Sequence, residues 1–515
     1  MIYTYHGSST NQQHTTQGNL QPNTDLATKM PNLLSLKNAI YSKSYLQIIE
    51  RLTNLPPNTL TNTTIDCAIN CHTKGCHLLC HDDVIGTRKI SFIIYLTEVG
   101  WSSEDGGCLE LYDAVQEEKD DDNNDEKKQS SSHRQVPTAL PTKTILPNFN
   151  TMAYFVVKPG VSFHSVQEVF NVDKPRLSIQ GWYHAKEQPD DIENATLQRL
   201  KSSGRGEDTE GEFEPLPPVV ANDDKNEKAS SEAVPATPQE AESSSTHNLS
   251  EGDINFLSQY MNKAYLSTQS MNEIQKRFEN ESSVQLRHFL LDEWNTKITT
   301  AIKKEDTRDK LGNNRPALDY QVGITNKWKA VGPAHKQRFL QYDELTRDDT
   351  TVANCSNTGE YLHHIRHTLF KSTSFGKWLG HITSLDYPLG QRGRVRRFRP
   401  GLDYTVAHYG VLTTHSVLDA TLCFCAGNGE QCTFDEETNE LIGSDDDAIW
   451  ESGDVGGFEC YIAADEEGED DDSGRDAEYD DEDDTRLLSV SASNNTLSLV
   501  YRDPGTMRFV KFVGR

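Results

Sequence analysis

The stretch HDDVIGTRKISFIIYL, His81 to Leu96, decides how this chain is read. Its second half, Ile90 to Leu96, is an apolar run of strand length, rich in β-branched and aromatic residues. Its first half sets a histidine and a carboxylate two positions apart. Side chains two apart on a β-strand share a face, so the spacing aims His81 and Asp83 at one ion while Asp82 points away. A further ligand arrives in VSFHSV, Val161 to Val166, where His164 again has strand-like neighbours. Arg176 follows in PRLSIQGW, Pro175 to Trp182. Two histidines and one carboxylate on one side of a metal leave its other positions open, which suits non-haem Fe(II).

Outward from this stretch the pattern stays β-rich. Between Ile65 and Trp182 the runs Ile90 to Leu96, Cys108 to Tyr112, Met152 to Val157 and Leu177 to Trp182 are separated by Gly, Pro and Asn. That spacing predicts a barrel or jelly roll. Ahead of it, Leu34, Ile40, Leu46 and Ile49 predict a helix over Leu33 to Leu52. The expected division is a disordered tail at 1–30, a catalytic domain at 31–187 with an acidic insert at 116–132, and a disordered linker at 188–249. Residues 250–515 then form a helical segment and a second β domain with an acidic insert at 465–485. Ser250 and Asp253 resemble a capping box before Ile254, Leu257 and Met261 at helical spacing, with helices to about Ile302. The fold class expected is mainly β with flanking helices (α+β).

An internal echo supports two β domains. Gly106-Gly107-Cys108-Leu109-Glu110-Leu111-Tyr112 returns as Gly456-Gly457-Phe458-Glu459-Cys460-Tyr461, and Asn150-Thr151-Met152 returns as Asn495-Thr496-Leu497. Extending the comparison sets His408-Tyr409-Gly410 against His81-Asp82-Asp83 and places Phe509 or Val510 near the second histidine. With glycine where the carboxylate belongs, the second copy is expected to hold no iron.

The 515 residues carry a formal net charge of -29 and are 35% hydrophobic. Such acidity disfavours a general nucleic-acid surface and favours basic partners. No apolar stretch reaches the roughly 20 residues that cross a bilayer, and the polar N-terminus has no signal h-region. A soluble intracellular protein of cytoplasm and nucleus is expected, with no membrane partner and no sequence-specific nucleic-acid binding. Ten irregularly spaced cysteines predict reduced thiols rather than a disulfide framework.

The stretches HDDVIGTRKISFIIYL, GGCLELYD, VSFHSVQEV and PRLSIQGWYH together resemble the ribosomal prolyl hydroxylases among the Fe(II) and 2-oxoglutarate dependent oxygenases. SGDVGGFECYIA and NNTLSLVYRDPGTMRFVKF look like the second, non-catalytic domain of that family. The resemblance implies two tandem double-stranded β-helix (jelly-roll) domains, the second degenerate. It implies Fe(II) held by His81, Asp83 and His164, and 2-oxoglutarate bound through Arg176 with help from Tyr95. O2 is the co-reactant and L-ascorbate the supporting reductant. The implied reaction couples oxidative decarboxylation of 2-oxoglutarate, giving succinate and carbon dioxide, to hydroxylation of a proline. The implied substrate is a small-subunit ribosomal protein at the decoding centre, giving 3-hydroxyproline or a 3,4-dihydroxylated product and affecting translation accuracy or termination. Family members carry a Tyr on the strand before the metal motif; Cys67 to Cys80 has none, so either His72 replaces it or nothing does. The family also generally has more residues ahead of that motif.

Three features stand outside that reading. Cys67, Cys71, Cys76 and Cys80, interleaved with His72 and His77, invite a zinc site, but their spacing favours small buried thiols. Arg392, Arg394 and Arg396 alternate, which predicts the solvated face of a strand, with contact to RNA or an acidic partner as the other reading. The run Asp465 to Asp484 reads as a disordered loop, with attraction of a basic ribosomal protein as a further role that salt would screen. A competing function is an oxygen-responsive binding protein whose C-terminal domain meets a regulatory protein partner.

Overall fold

The computed structural model describes residues 29–117, 134–204, 213–217, 249–311, 319–343, 355–425, 456–464 and 486–514, with the backbone of short strands at Ile2–Tyr5, Thr433–Phe434 and Leu441–Ile442. Eleven strands occupy the first part: β1 (Ile2–Tyr5), β2 (Leu60–His72), β3 (Leu78–His81), β4 (Arg88–Tyr95), β5 (Leu109–Leu111), β6 (Ala114–Gln116), β7 (Gln135–Pro137), β8 (Lys143–Ile145), β9 (Thr151–Val156), β10 (His164–Val166) and β11 (Arg176–Ala185). They form a five-stranded sheet β1-β2-β11-β4-β9, a four-stranded sheet β3-β10-β5-β8 and the hairpin β6-β7. Pairing is antiparallel throughout.

β4 explains why its sequence reads as a continuous apolar run. Ile90 and Phe92 are fully buried against Ile40, Leu46 and Ile49 of two helices outside the sheet. Ile93 and Tyr95, on the opposite face, pack on Leu109, Leu111 and Ile145 of the second sheet. A strand covered on both faces loses the polar alternation of a surface strand. Each such side chain contributes about 1.5–3 kcal/mol by leaving water.

The helix expected over Leu33 to Leu52 is two helices, Pro31–Ile40 and Lys43–Leu52. The break falls at Ser42, whose side chain accepts from the Tyr45 N–H and caps the second helix. Two segments expected to lack structure are partly ordered. Ile2–Tyr5 of the tail pairs with β2. Within the linker, the helix Thr196–Ser202 packs on the first domain, its Arg199 donating to the Gln135 carbonyl at 2.6 Å and meeting Glu117 at 3.2 Å. Composition concealed this because the ordering contacts are distant in sequence. Most of both acidic inserts, at 118–133 and 465–485, lies outside the described residues.

The C-terminal part opens with the expected capping box, Ser250 and Asp253 bonding reciprocally at the start of Glu251–Leu257. Between the helices that follow Ser250 and the last strands lie a hairpin, Trp328–Val331 with Gln337–Tyr342, and two helices, Thr358–Ile365 and Thr373–Thr383. Those helices join Thr268–Glu281 and Asp292–Asp309 around Phe289 and Trp378, covering the strands Ser283–Leu286 and Thr496–Arg502. Another sheet centres on Glu459–Ala463, flanked by Arg486–Val490 and Thr506–Val510.

The sequence echo has a geometric counterpart. Gly106 bridges Val169, and Gly456 bridges Val513. All four repeat glycines have positive φ, from +67° to +74°, as do Asn150 and Asn495 before their strands. A Cβ on Gly456 would lie 2.0 Å from the Phe512 carbonyl oxygen, so close backbone approach as well as φ demands glycine there.

Candidate active site

β3 ends at His81, β10 begins at His164, and the two residues are register partners. Pairing brings their rings to a centroid separation of 4.3 Å. Nδ1 of His81 lies 2.7 Å from the Leu79 carbonyl oxygen, and Nδ1 of His164 lies 2.9 Å from that of Ser162. A carbonyl can only accept, so in the neutral rings both Nδ1 atoms carry hydrogen and both Nε2 lone pairs are free for a ligand. Asp83 closes the triangle, with Oδ1 3.2 Å from Nε2 of His81 and Oδ2 3.3 Å from Nε2 of His164.

The three residues that the sequence proposed do come together, but by a different geometry from a shared strand face. Asp83 is not on the strand with His81; it sits in the following turn at φ +61°, in left-handed backbone that Asp tolerates better than most residues. That turn swings the carboxylate back over the strand end. Asp82 does point away, and it is an anchor. Its carboxylate accepts from the N–H groups of Val84, Gly160 and Thr196, at 3.3, 3.1 and 2.9 Å. The ligand turn is thereby tied to the helix Thr196–Ser202.

The donor set fits a divalent metal. Among the described residues, His81, Asp83 and His164 are the group whose ligand atoms lie within 4.8 Å of one another. Oδ2 of Asp83 is buried and accepts no well-formed hydrogen bond, despite its nearness to His164. Burial opposes ionisation of Asp83, but His164 and His81 outweigh it and hold the carboxyl well below its usual range. An ionised carboxylate and two imidazole lone pairs, mutually close and poorly satisfied by one another, are what a cation resolves.

A second set of buried donors lies on the interior face of the larger sheet. Arg176, at the start of β11, is 1% exposed; its Nε donates to the Gly107 carbonyl at 2.7 Å. Its Nη2 is buried with no hydrogen-bond partner among the described residues, as is the hydroxyl of Tyr95. The guanidinium carbon stands 5.2 Å from the Tyr95 ring centroid. Burial raises the Tyr95 hydroxyl above its ordinary pKa, partly offset by Arg176. Unsatisfied buried donors of this kind call for a carboxylate.

His72 faces Arg176 across the β2–β11 ladder, and its Nδ1 is also unsatisfied. Burial, then Arg176, then His77 depress its pKa to about 3. The folded state therefore keeps His72 neutral while the unfolded chain takes up a proton below about 6.5. The resulting stability is complete above that pH and is lost as pH falls towards 3. A His72→Asn chain is expected to lose less melting temperature than the wild type between pH 7.5 and pH 5. Equal losses would refute the assignment.

The sequence profile described as the 2OG-Fe(II) oxygenase superfamily matches residues 67–184. The profile described as oxoglutarate and iron-dependent oxygenase degradation C-term matches residues 252–515. Prolyl 3,4-dihydroxylase OGFOD1 of Ostreococcus tauri is 35% identical over 501 residues, covering 95% of this chain and 82% of that protein. The chain belongs to the prolyl 3-hydroxylase and prolyl 3,4-dihydroxylase family of 2-oxoglutarate and Fe(II) dependent oxygenases. Prolyl 3-hydroxylase OGFOD1 of Xenopus laevis is 28% identical over 496 residues, covering 94% of this chain and 74% of its own. Among solved structures, a Pseudomonas putida prolyl-4-hydroxylase aligns with a TM-score of 0.19 and 18% identity, over 28% of this chain and 62% of that one. A Trichoplax adhaerens prolyl hydroxylase, solved with a hypoxia inducible factor peptide, gives 0.20 and 19%, over 33% and 61%.

As a member of this family the chain is a 2-oxoglutarate-dependent dioxygenase that uses Fe(II), 2-oxoglutarate and O2. No helix among the described residues is long and apolar enough to cross a membrane. The four cysteines between Cys67 and Cys80 join no metal-holding group among the described residues, and burial pushes the Cys67 thiol to about 11.

One buried network escaped the sequence. Glu110 of β5 is 1% exposed; Ser165, the residue after His164, donates to it at 2.5 Å, and Tyr320 of the C-terminal part donates to its other oxygen. Tyr112 lies 3.0 Å from Ser165 and accepts from Arg338 at 2.9 Å, while Arg338 also donates to the Leu402 carbonyl at 2.6 Å. The C-terminal part therefore satisfies a buried acid beside the strand carrying His164. Only the odd polarity of Glu110 inside an apolar strand signalled it.

Proposed function

We propose that this oxygenase holds Fe(II) on His81, Asp83 and His164, binds 2-oxoglutarate through Arg176 and Tyr95, and hydroxylates a proline of a small-subunit ribosomal protein at the decoding centre. The convergence of three ligand atoms supports the iron site, and two unsatisfied donors on an inner sheet face support the cosubstrate site. Bound iron with 2-oxoglutarate and O2 supplies the oxidising chemistry. The chain's own part is positional. Leu79 and Ser162 carbonyls fix the rings, the Asp83 turn presents the carboxylate, and Arg176 and Tyr95 receive the distal carboxylate of 2-oxoglutarate. L-ascorbate serves as reductant.

The relatives' names support a proline target and 3-hydroxylation or 3,4-dihydroxylation. A net charge of -29 complements a basic ribosomal protein, met in cytoplasm and nucleus, with consequences for translation accuracy or termination. We read residues 31–204 as the catalytic domain and 250–515 as helices with a second, degenerate double-stranded β-helix. The bridge Gly456 to Val513 supports the tandem arrangement, and register sets Arg508 opposite Tyr461 as His164 is set opposite Leu111. A cationic side chain in the place of a ligand histidine supports a second copy without iron, with Arg508 rather than Phe509 or Val510 taking that place in this register.

The test is incubation with Fe(II), 2-oxoglutarate, ascorbate and a peptide spanning the ribosomal proline, followed by peptide mass and succinate. One or two added oxygens are expected, with Arg176→Lys raising KM for 2-oxoglutarate about 10- to 100-fold because the bidentate fork is lost. No mass change, and no succinate with the intact ribosomal protein, would sink the substrate assignment.

A further inference from the structure

A cavity of about 910 Å³ lies within the C-terminal part, away from the iron site, near the upper end of the usual range for ligand pockets. Among the described residues, its lining carries nine lysines and arginines against four carboxylates, in a chain of net charge -29. The carboxylates are engaged from inside: Arg508 bonds Glu459 at 2.6 Å and meets Asp419 at 3.2 Å, and Arg397 bonds Asp306 at 2.7 Å. Part of this basic lining is the run expected to be a solvated strand face, with Arg394 donating to Gln341 at 3.1 Å and Arg396 3.9 Å from Glu459. Arg392, Arg394 and Arg396 are instead half-buried in the cavity wall, among apolar side chains such as Phe370, Leu379 and Leu418.

The rim already holds a peptide, and it is a piece of this chain. Glu214–Pro215, from the expected linker, pairs antiparallel with Gly390–Gln391, and the Leu216 N–H donates to the Leu389 carbonyl at 3.0 Å. Glu214 accepts from Lys371 at 2.5 Å and from Gln391 at 3.1 Å, with Arg366 at 3.6 Å. Phe213 and Leu216, on either side of that carboxylate, both line the cavity, and the Phe213 ring lies 4.5 Å from the Arg392 guanidinium. The segment is shallowly held, for Phe213 remains 51% exposed.

We propose that this cavity is a docking site for an acidic peptide segment of a protein partner, taken up as an added strand, and that residues 213–217 hold its rim as an intramolecular competitor. The rim shows the recognition rule: backbone pairing to the 389–391 edge, a carboxylate on the basic groups, and apolar side chains directed into the cavity. Nucleic acid shares the negative charge but offers no backbone N–H and C=O to pair with a strand edge. The tether gives the internal segment a high effective concentration, so a partner must outcompete it. The inference is independent of the iron-site reading.

Binding of a fluorescent peptide EGEFEPLPPVV, copying residues 210–220, to the full chain tests it. The Glu214→Lys chain is expected to bind at least about five-fold more tightly than the wild type, because the competitor is repelled from the rim. Adding Arg392→Glu and Arg394→Glu to that chain is expected to weaken binding at least about ten-fold, with melting curves confirming folded protein. A peptide with its glutamates replaced by glutamines, measured on the Glu214→Lys chain, gives the same answer without altering the cavity. Equal affinity for both peptides, no binding by the Glu214→Lys chain, or tighter binding of a single-stranded RNA of equal charge would each overturn the proposal.

Discussion

Asp83→Asn is expected to lower succinate formation at least about 100-fold and to reduce retention of Fe(II), while the melting temperature stays within a few degrees of wild type. Asparagine is the informative replacement because Asp83 sits at φ +61°, which Asn accepts and Ala resists. Asp83→Ala would combine backbone strain with loss of the ligand. Asp83→Asn removes the charge between two imidazoles and leaves the turn intact, since Asp82 supplies the acceptors that hold it. Metal content after dialysis against a weak chelator, measured beside succinate, separates a lost ligand from a lost fold. Wild-type turnover with wild-type iron content would refute the assignment.

Arg338→Met is expected to cost about 3–5 kcal/mol, the usual penalty for leaving a buried charged network without one partner. Arg338 is 3% exposed and faces Tyr112, Tyr320 and Tyr404, with Glu110 among its electrostatic neighbours. Burial already pushes the Glu110 carboxyl above its usual range, and Arg338 is the first influence opposing that shift. Removing the guanidinium therefore leaves the acid without its main compensation. The double variant Arg338→Met with Glu110→Gln is expected to recover part of the loss, because the uncompensated acid is gone. Calorimetric melting of wild type, both single variants and the double variant measures the coupling. Strictly additive effects would show that Glu110 and Arg338 do not interact. Iron retention should fall with Arg338→Met as well, since Ser165 links Glu110 to the strand that presents His164.

The proposed ligands were legible because their chemistry is local. A histidine and a carboxylate two apart, a histidine in a second strand-like run and an arginine soon after it are visible as letters, and the structure brings all of them to the inner side of one sandwich. The geometry was less legible. His81 and Asp83 converge through a left-handed turn rather than a shared strand face, because β3 ends at His81. Tyr95 could be placed on the inner face of β4 only once helices were seen to cover the other face.

By itself the sequence determined the strand runs, the capping box at Ser250, the repeated glycines and the residues proposed as the donor set. These rest on residue type and short-range periodicity, which folding does not alter. Tertiary structure alone decided which groups are satisfied by distant partners. Asp82 became an anchor because Gly160 and Thr196 bring N–H groups to it, and the arginine run became a cavity wall because helices and a sheet close around it. Residues 213–217 look like linker by composition, yet the strand edge at 389–391 gives their backbone a place to pair. Long-range pairing of this kind leaves no periodic trace in either partner, so it emerges only when the chain has folded.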